Sequence, residues 1–210
     1  MPIAEMFLNP LRILLIVIAV ASVVVLPSSV FAHGGSHAGP VVTQMNKETA
    51  LEVAIPESAK AIKKIAVVDQ AMMAWAEETY GVRLKEGLYS YFIAEDKSSG
   101  EVVGGAIVKR TPFRKGKLSI AVGLDGDQQV TNVALMSINK NYLFELERDV
   151  GKGVISNYNG MTVDQIVNAK ELSFNNKTQQ QFAVALREAA VLLSTLMHSK
   201  QDIANSEAGG

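Results

Sequence analysis

"GLYSYFIAEDKSSGEVVGGAIVKRTPFRKGKLSIAVGLDGDQQVTNVALMSI", residues 87–138, is the stretch whose pattern decides the fold. Four runs rich in β-branched and aromatic residues (88–96, 101–109, 117–125 and 129–138) are parted by "DKSSG", "TPFRKG" and "DGDQ", clusters that form turns. A parallel crossover takes about a dozen residues or more, so runs joined this closely should be antiparallel neighbours. The expectation is a four-stranded meander.

Downstream, "NYLFELERDV" reads as a short helix and "TVDQIV" as a second one capped by Thr162. From Thr178 onward, Phe182, Leu186, Ala189, Leu193 and Leu196 fall on one helical stripe, with Gln residues, Arg187 and Glu188 opposite. That stripe should lie on the sheet. Upstream, "PESAKAIKKIAVVDQAMMAWAEETYG" (56–81) opens with Pro56, closes with Gly81 and spaces Ile62, Ile65, Val68, Met72, Met73 and Trp75 like one face of a helix. A single amphipathic helix of about six turns is expected there. An antiparallel four-stranded sheet flanked by helices is an α+β fold.

The N-terminus belongs to export rather than to the fold. Arg12 precedes the apolar run 13–26, and "PSSVFA" follows, with Val30 and Ala32 as the small residues of a signal-peptidase site. A retained membrane anchor is the alternative, although the run is shorter than the roughly 20 residues a spanning helix needs. The organisation expected is a signal peptide at 1–32, a flexible His- and Gly-containing arm at 33–55, a folded domain at 56–200 and a disordered tail at 201–210. The mature chain would be periplasmic or otherwise extracytoplasmic, with no stable membrane span after cleavage.

Composition narrows the chemistry. A formal net charge of −1 over 210 residues lacks the basic footprint of a nucleic-acid-binding protein. The absence of cysteine excludes disulfides, c-type haem attachment and thiolate metal sites. No Walker loop, dinucleotide fingerprint, His-Glu-x-x-His or nucleophile elbow occurs. Of the three histidines, His33 and His37 lie in "HGGSHAGP"; after cleavage the α-amino group and two imidazoles would suit Cu(II), and a free arm of this kind would bind copper or zinc weakly. His198 reads as a surface residue near a helix end.

The strand–turn pattern, with "VGGA" on its second strand and "AVGLDGDQQVTNVAL" across its last two, resembles FMN-binding domains. These are the extracytoplasmic flavoprotein subunits of the sodium-pumping NADH:quinone reductase and related ferredoxin-linked complexes. "DVGKGVISNYNGMTVDQI" is similar to a further segment of that family, and the resemblance spans residues 87–197. It implies an FMN whose phosphate is esterified to a Thr at the entry to the last helix, inside a Ser/Thr-Gly-Ala-Thr motif. Thr178 stands at that position, preceded by Asn175, Asn176 and Lys177 in place of the motif's other residues, and the family's Glu-Thr-Pro-Gly loop is replaced by "NKNYLFELERDVGKG".

Thr178 therefore reads in two ways, as a flavin attachment point or as a helix cap completed by Gln181. For FMN held without an ester, "KRTPFRKGK" supplies Lys109, Arg110, Arg114, Lys115 and Lys117, which with Lys177, Asn176 and Thr178 at a helix N-terminus could clamp a phosphate or simply form a solvated basic loop. Gly104 and Gly105 could admit a flat ring or mark a bulge, and Tyr89, Tyr91 and Trp75 could stack on it or belong to the core. The function expected is an electron-transfer or accessory component of an extracytoplasmic redox system, partnered by membrane or periplasmic redox proteins. The alternative is a flavin-free binding module using the same fold or the metal-binding arm.

Overall fold

The computed structural model describes residues 38–169 and 176–208, with side chains as far as residue 199. The expected signal peptide, His33 and His37 lie outside the described residues.

The meander forms as the turn signals require: β3 (Gly87–Asp96), β4 (Val102–Phe113), β5 (Gly116–Asp125) and β6 (Val130–Asn139) pair antiparallel in sequence order. The sheet does not stop at four strands, however. Among the described residues it has seven: β1 (Val41–Thr43) and β7 (Val154–Ile155) pair with β6, and β2 (Ala59–Val68) pairs with β3, giving the order β1-β6-β5-β4-β3-β2.

The six-turn helix expected at 56–81 is corrected to a strand and a shorter helix. Residues 59–68 pair with β3 along their whole length, from Ala59 opposite Asp96 to Val68 opposite Gly87. A ten-residue ladder lined with β-branched Ile62, Ile65, Val67 and Val68 outweighs an apolar spacing that also suits a helix. Helix α2 (Gln70–Tyr80) then starts at Asp69, whose carboxylate accepts the amide of Met72 at 2.9 Å, and ends at Gly81 in the left-handed conformation with φ of 64°. The flexible arm at 33–55 is corrected in its second half: besides β1, it holds helix α1 (Lys47–Ala54), capped by Asn46.

Helix α3 (Lys140–Asp149) and helix α4 (Val163–Asn168) form where expected, α4 with a complete Thr162–Gln165 capping box. Helix α5 (Lys177–Ala208) runs on through most of the segment expected to be a disordered tail. Phe182, Leu186, Ala189, Leu193 and Leu196 are all fully buried, so the stripe read from the sequence is the one that packs. Over Lys177–Ser199, α5 is long and apolar enough to cross a membrane, but 72% of its most apolar window is buried within the protein, as befits a core helix.

The two faces of the sheet differ in side-chain size. On β5, Ile120, Val122 and Leu124 join the large core beneath α5, while the alternate residue Ala121 joins Ala50, Ala134 and Met136 beneath α1. Small residues let α1 come close: a Cβ on Gly123 would run into the carbonyl oxygen of Ala54. The C-terminal end of α1 is tied down by Thr131, whose hydroxyl donates to Ala54 O at 2.6 Å, and by Asn132, whose amide donates to Val53 O at 3.0 Å.

Candidate functional site

The residues expected at a single site divide into a closed cluster at the start of α5 and an open cleft beside it. In the closed cluster Asn176, not Thr178, is the helix cap: its side-chain oxygen accepts the amide of Gln179 at 3.0 Å and its carbonyl accepts that of Gln180 at 3.2 Å. This corrects the capping box expected from Thr178 and Gln181. Thr178 sits inside the first turn with no exposed surface, and its hydroxyl donates to the Glu145 carboxylate on α3.

Arg114 completes the cluster. It occupies the β4–β5 turn at φ of 55°, a conformation unusual for a residue with a side chain, and it is held there from both ends. Its amide donates to the Gln181 side-chain oxygen at 3.2 Å; one guanidinium nitrogen donates to Glu145 and lies 3.3 Å from the Thr178 hydroxyl. Glu145 is therefore the anion placed at the N-terminal turn of α5, where the helix dipole favours a negative charge. The Thr178 hydroxyl, and after it the Arg114 guanidinium, hold its carboxyl below the usual glutamate value of 4.5. Gln179 adds a tie to α3 by donating to Asp149 O at 2.7 Å.

This arrangement does not fit an FMN ester. Oxygen Oγ1 of Thr178 is enclosed, and a phosphate there would face a carboxylate already holding the neighbouring hydrogen bonds. Gly104 and Gly105 lie elsewhere, on β4 beside a register shift in its pairing with β3. A Cβ on Gly105 would come within 2.8 Å of Phe92 O and 3.0 Å of Met197 Sδ, so this glycine serves the close approach of α5 to the sheet.

The open cleft has a different composition. Lys109 and Arg110 on β4 meet Arg83 and Lys85 from the α2–β3 connection and Tyr89 on β3, around a cavity of about 310 Å³. Glu188 on α5 is the carboxylate in its lining, 3.8 Å from Lys109 Nζ. Lys109 Nζ also lies 6.0 Å from the centre of the Tyr89 ring, and the Tyr89 hydroxyl donates to Lys85 O at 2.9 Å. Arg83 is bonded to Glu77 at 2.7 Å. Even with Arg83 paired to Glu77 and Lys109 to Glu188, the four cations exceed these two carboxylates and make a concave surface suited to an anion.

Lys109, Arg110 and Tyr89 are thus brought together, while Arg114, Asn176, Lys177 and Thr178 are not part of the cleft. The other two aromatic candidates part company: Tyr91 is fully buried in the core, and Trp75 stacks on His198 with ring centres 4.3 Å apart. Sequence reasoning missed Arg83, Lys85 and Glu145. "VRLKEG" does alternate cations just before a strand, a signal that could have been read; Glu145 is one of many carboxylates and carries no mark. Among the described residues no three His, Cys, Asp or Glu side chains gather to hold a metal.

Comparison of the chain with family models, with curated proteins and with solved structures found no match.

Proposed function

We propose that this protein is an exported accessory domain of an extracytoplasmic redox system, of FMN-binding-like architecture, that takes FMN reversibly in the cationic cleft and not as an ester at Thr178. The observation that carries this reading is the division of charge: Thr178 and Arg114 are committed to Glu145, whereas Lys109, Arg110, Arg83 and Lys85 line an open cleft beside Tyr89 in which Arg110 and Lys85 have no ion pair among the described residues. A cavity of about 310 Å³ lies at the lower end of the range of about 300–1,000 Å³ usual for small-molecule sites, so part of a bound nucleotide would remain outside it.

Lys109 would hold the phosphate together with Lys85 across the cleft, while Arg110, the next residue on the strand and so directed to the opposite face of the sheet, would add positive charge at longer range. Tyr89 offers an aromatic surface for the ring system. When bound, FMN would supply the electron-carrying chemistry; the protein would orient it and set its electrostatic surroundings. The test is the protein purified from its exported compartment. An intact mass with no flavin adduct, together with flavin absorbance that dialysis removes and added FMN restores, is the expected result. An adduct of one FMN less water would overturn the non-covalent reading, and a protein that takes up no FMN would overturn the flavin reading altogether.

A further inference from the structure

The far edge of the sheet carries a second, independent feature. β2 is ten residues long and, among the described residues, pairs with β3 alone, so its outer row of backbone amides and carbonyls faces away from the sheet. Long edge strands of this kind are templates for another strand unless they are blunted. On one side of this edge Ile65, Val67 and Leu88 are 58%, 55% and 70% exposed, with Val67 directly opposite Leu88 in the ladder. On the other side a groove of about 520 Å³ runs between β2 and the helices α2 and α5, walled by Met72, Trp75 and His198.

Charge identifies what fits. Lys60 is paired with Glu95 at 2.8 Å, but Lys63 and Lys64 have no ion pair among the described residues. The edge is therefore apolar on both sides over its last four residues and cationic just before them. We propose that β2 docks an extended segment of a partner protein as an added antiparallel strand, the segment being apolar over about four residues and acidic over the next two. Its alternate side chains would rest on Ile65 and Val67 on one side and on Met72 and Trp75 on the other, and its carboxylates would face Lys64 and Lys63.

Trp75 is the protein's single tryptophan and lines the groove, so its emission reports occupancy directly. The probe is an acetylated, amidated peptide containing Val-Ile-Val-Ile-Glu-Glu, with a Val-Ile-Val-Ile-Lys-Lys control. Expected are a saturable change in Trp75 emission with the acidic peptide, slower amide exchange confined to residues 60–68, and binding at least about tenfold weaker both for the basic peptide and for the Lys63→Glu, Lys64→Glu variant. Three results would each overturn the proposal: no change in exchange at β2 with millimolar acidic peptide, equal binding of the acidic and basic peptides, or outward β2 amides already protected in the free protein. The last would mean that another segment of this chain or a second copy covers the edge. None of these readouts depends on flavin, so this proposal and the cleft reading can fail separately.

Discussion

The start of α5 and the cleft beside β4 both place cations beside a carboxylate, yet they are built on opposite principles. Around Glu145 the charges meet within the protein: the carboxylate takes the Thr178 hydroxyl and the Arg114 guanidinium, and only 24% of the Arg114 side chain is exposed. Around Lys109 the cations outnumber the carboxylate in the lining and the surface is concave and open. A balanced, enclosed cluster fixes three elements to one another, here the β4–β5 turn, α3 and α5; an unbalanced, open one retains its attraction for something else. α5 contributes to both, through Thr178 and Gln181 to the first and Glu188 to the second.

Because α5 carries both regions, the largest effect should come from weakening its seat on the sheet. Leu186 is fully buried, so Leu186→Ala should lower stability by about 2–5 kcal/mol. Unchanged thermal melts would mean that the helix does not hold the two regions in place as described. Next is the enclosed cluster. Glu145→Ala leaves the Thr178 hydroxyl and a mostly buried guanidinium without their acceptor and should cost about 1–3 kcal/mol, discounted toward the lower figure by the partial exposure of the pair. Thr178→Val keeps the shape, removes the donor and should cost about 1 kcal/mol.

The pH dependence has a definite sign. A carboxyl whose pKa is depressed in the folded state stabilises it at pH values above the unfolded pKa, and that contribution is lost as pH falls through the folded pKa. For Glu145 the loss begins near its ordinary value of 4.5 and continues below it. Melting temperature should therefore fall as pH drops below about 4.5, and Glu145→Gln should fall less steeply than the parent. Equal slopes would remove Glu145 from the account. Asp96 moves in the same direction: hydrogen bonds from Ser98 and Ser99 lower its pKa to about 2, so the β3–β4 turn should loosen only in stronger acid.

What the sequence revealed and what it hid follow from how local each signal is. The meander, the cap at Thr162, the Gly81 stop and the α5 stripe rest on neighbours in the chain or on a short period, and all four are present in the structure. The strand at residues 59–68 is hidden in the sequence because "AKAIKKIAVV" satisfies a helical and an alternating spacing alike, and the arbiter, β3, lies beyond α2. An Asp at position 69 in the middle of the supposed helix was the available warning, since Asp is a cap before it is a helix former. The role of Thr178 was hidden for a different reason: its acceptor, Glu145, is 33 residues away in sequence. Arg83 and Lys85 reach the cleft only because β3 and β4 fold back beside them.

The smallest stability effect and the sharpest functional one should coincide in the cleft. Lys109→Gln with Arg110→Gln removes two charges and one partly exposed ion pair without creating a like-charge contact at Glu188, and should change stability by less than about 1 kcal/mol. The central claim, that the enclosed cluster is structural and the open cleft binds the anion, is tested most directly by titrating FMN into the parent, Thr178→Val and this double variant. The account predicts equal affinity for the parent and Thr178→Val, and a loss of at least about tenfold for the double variant. Loss of binding in Thr178→Val with the double variant unaffected would contradict it.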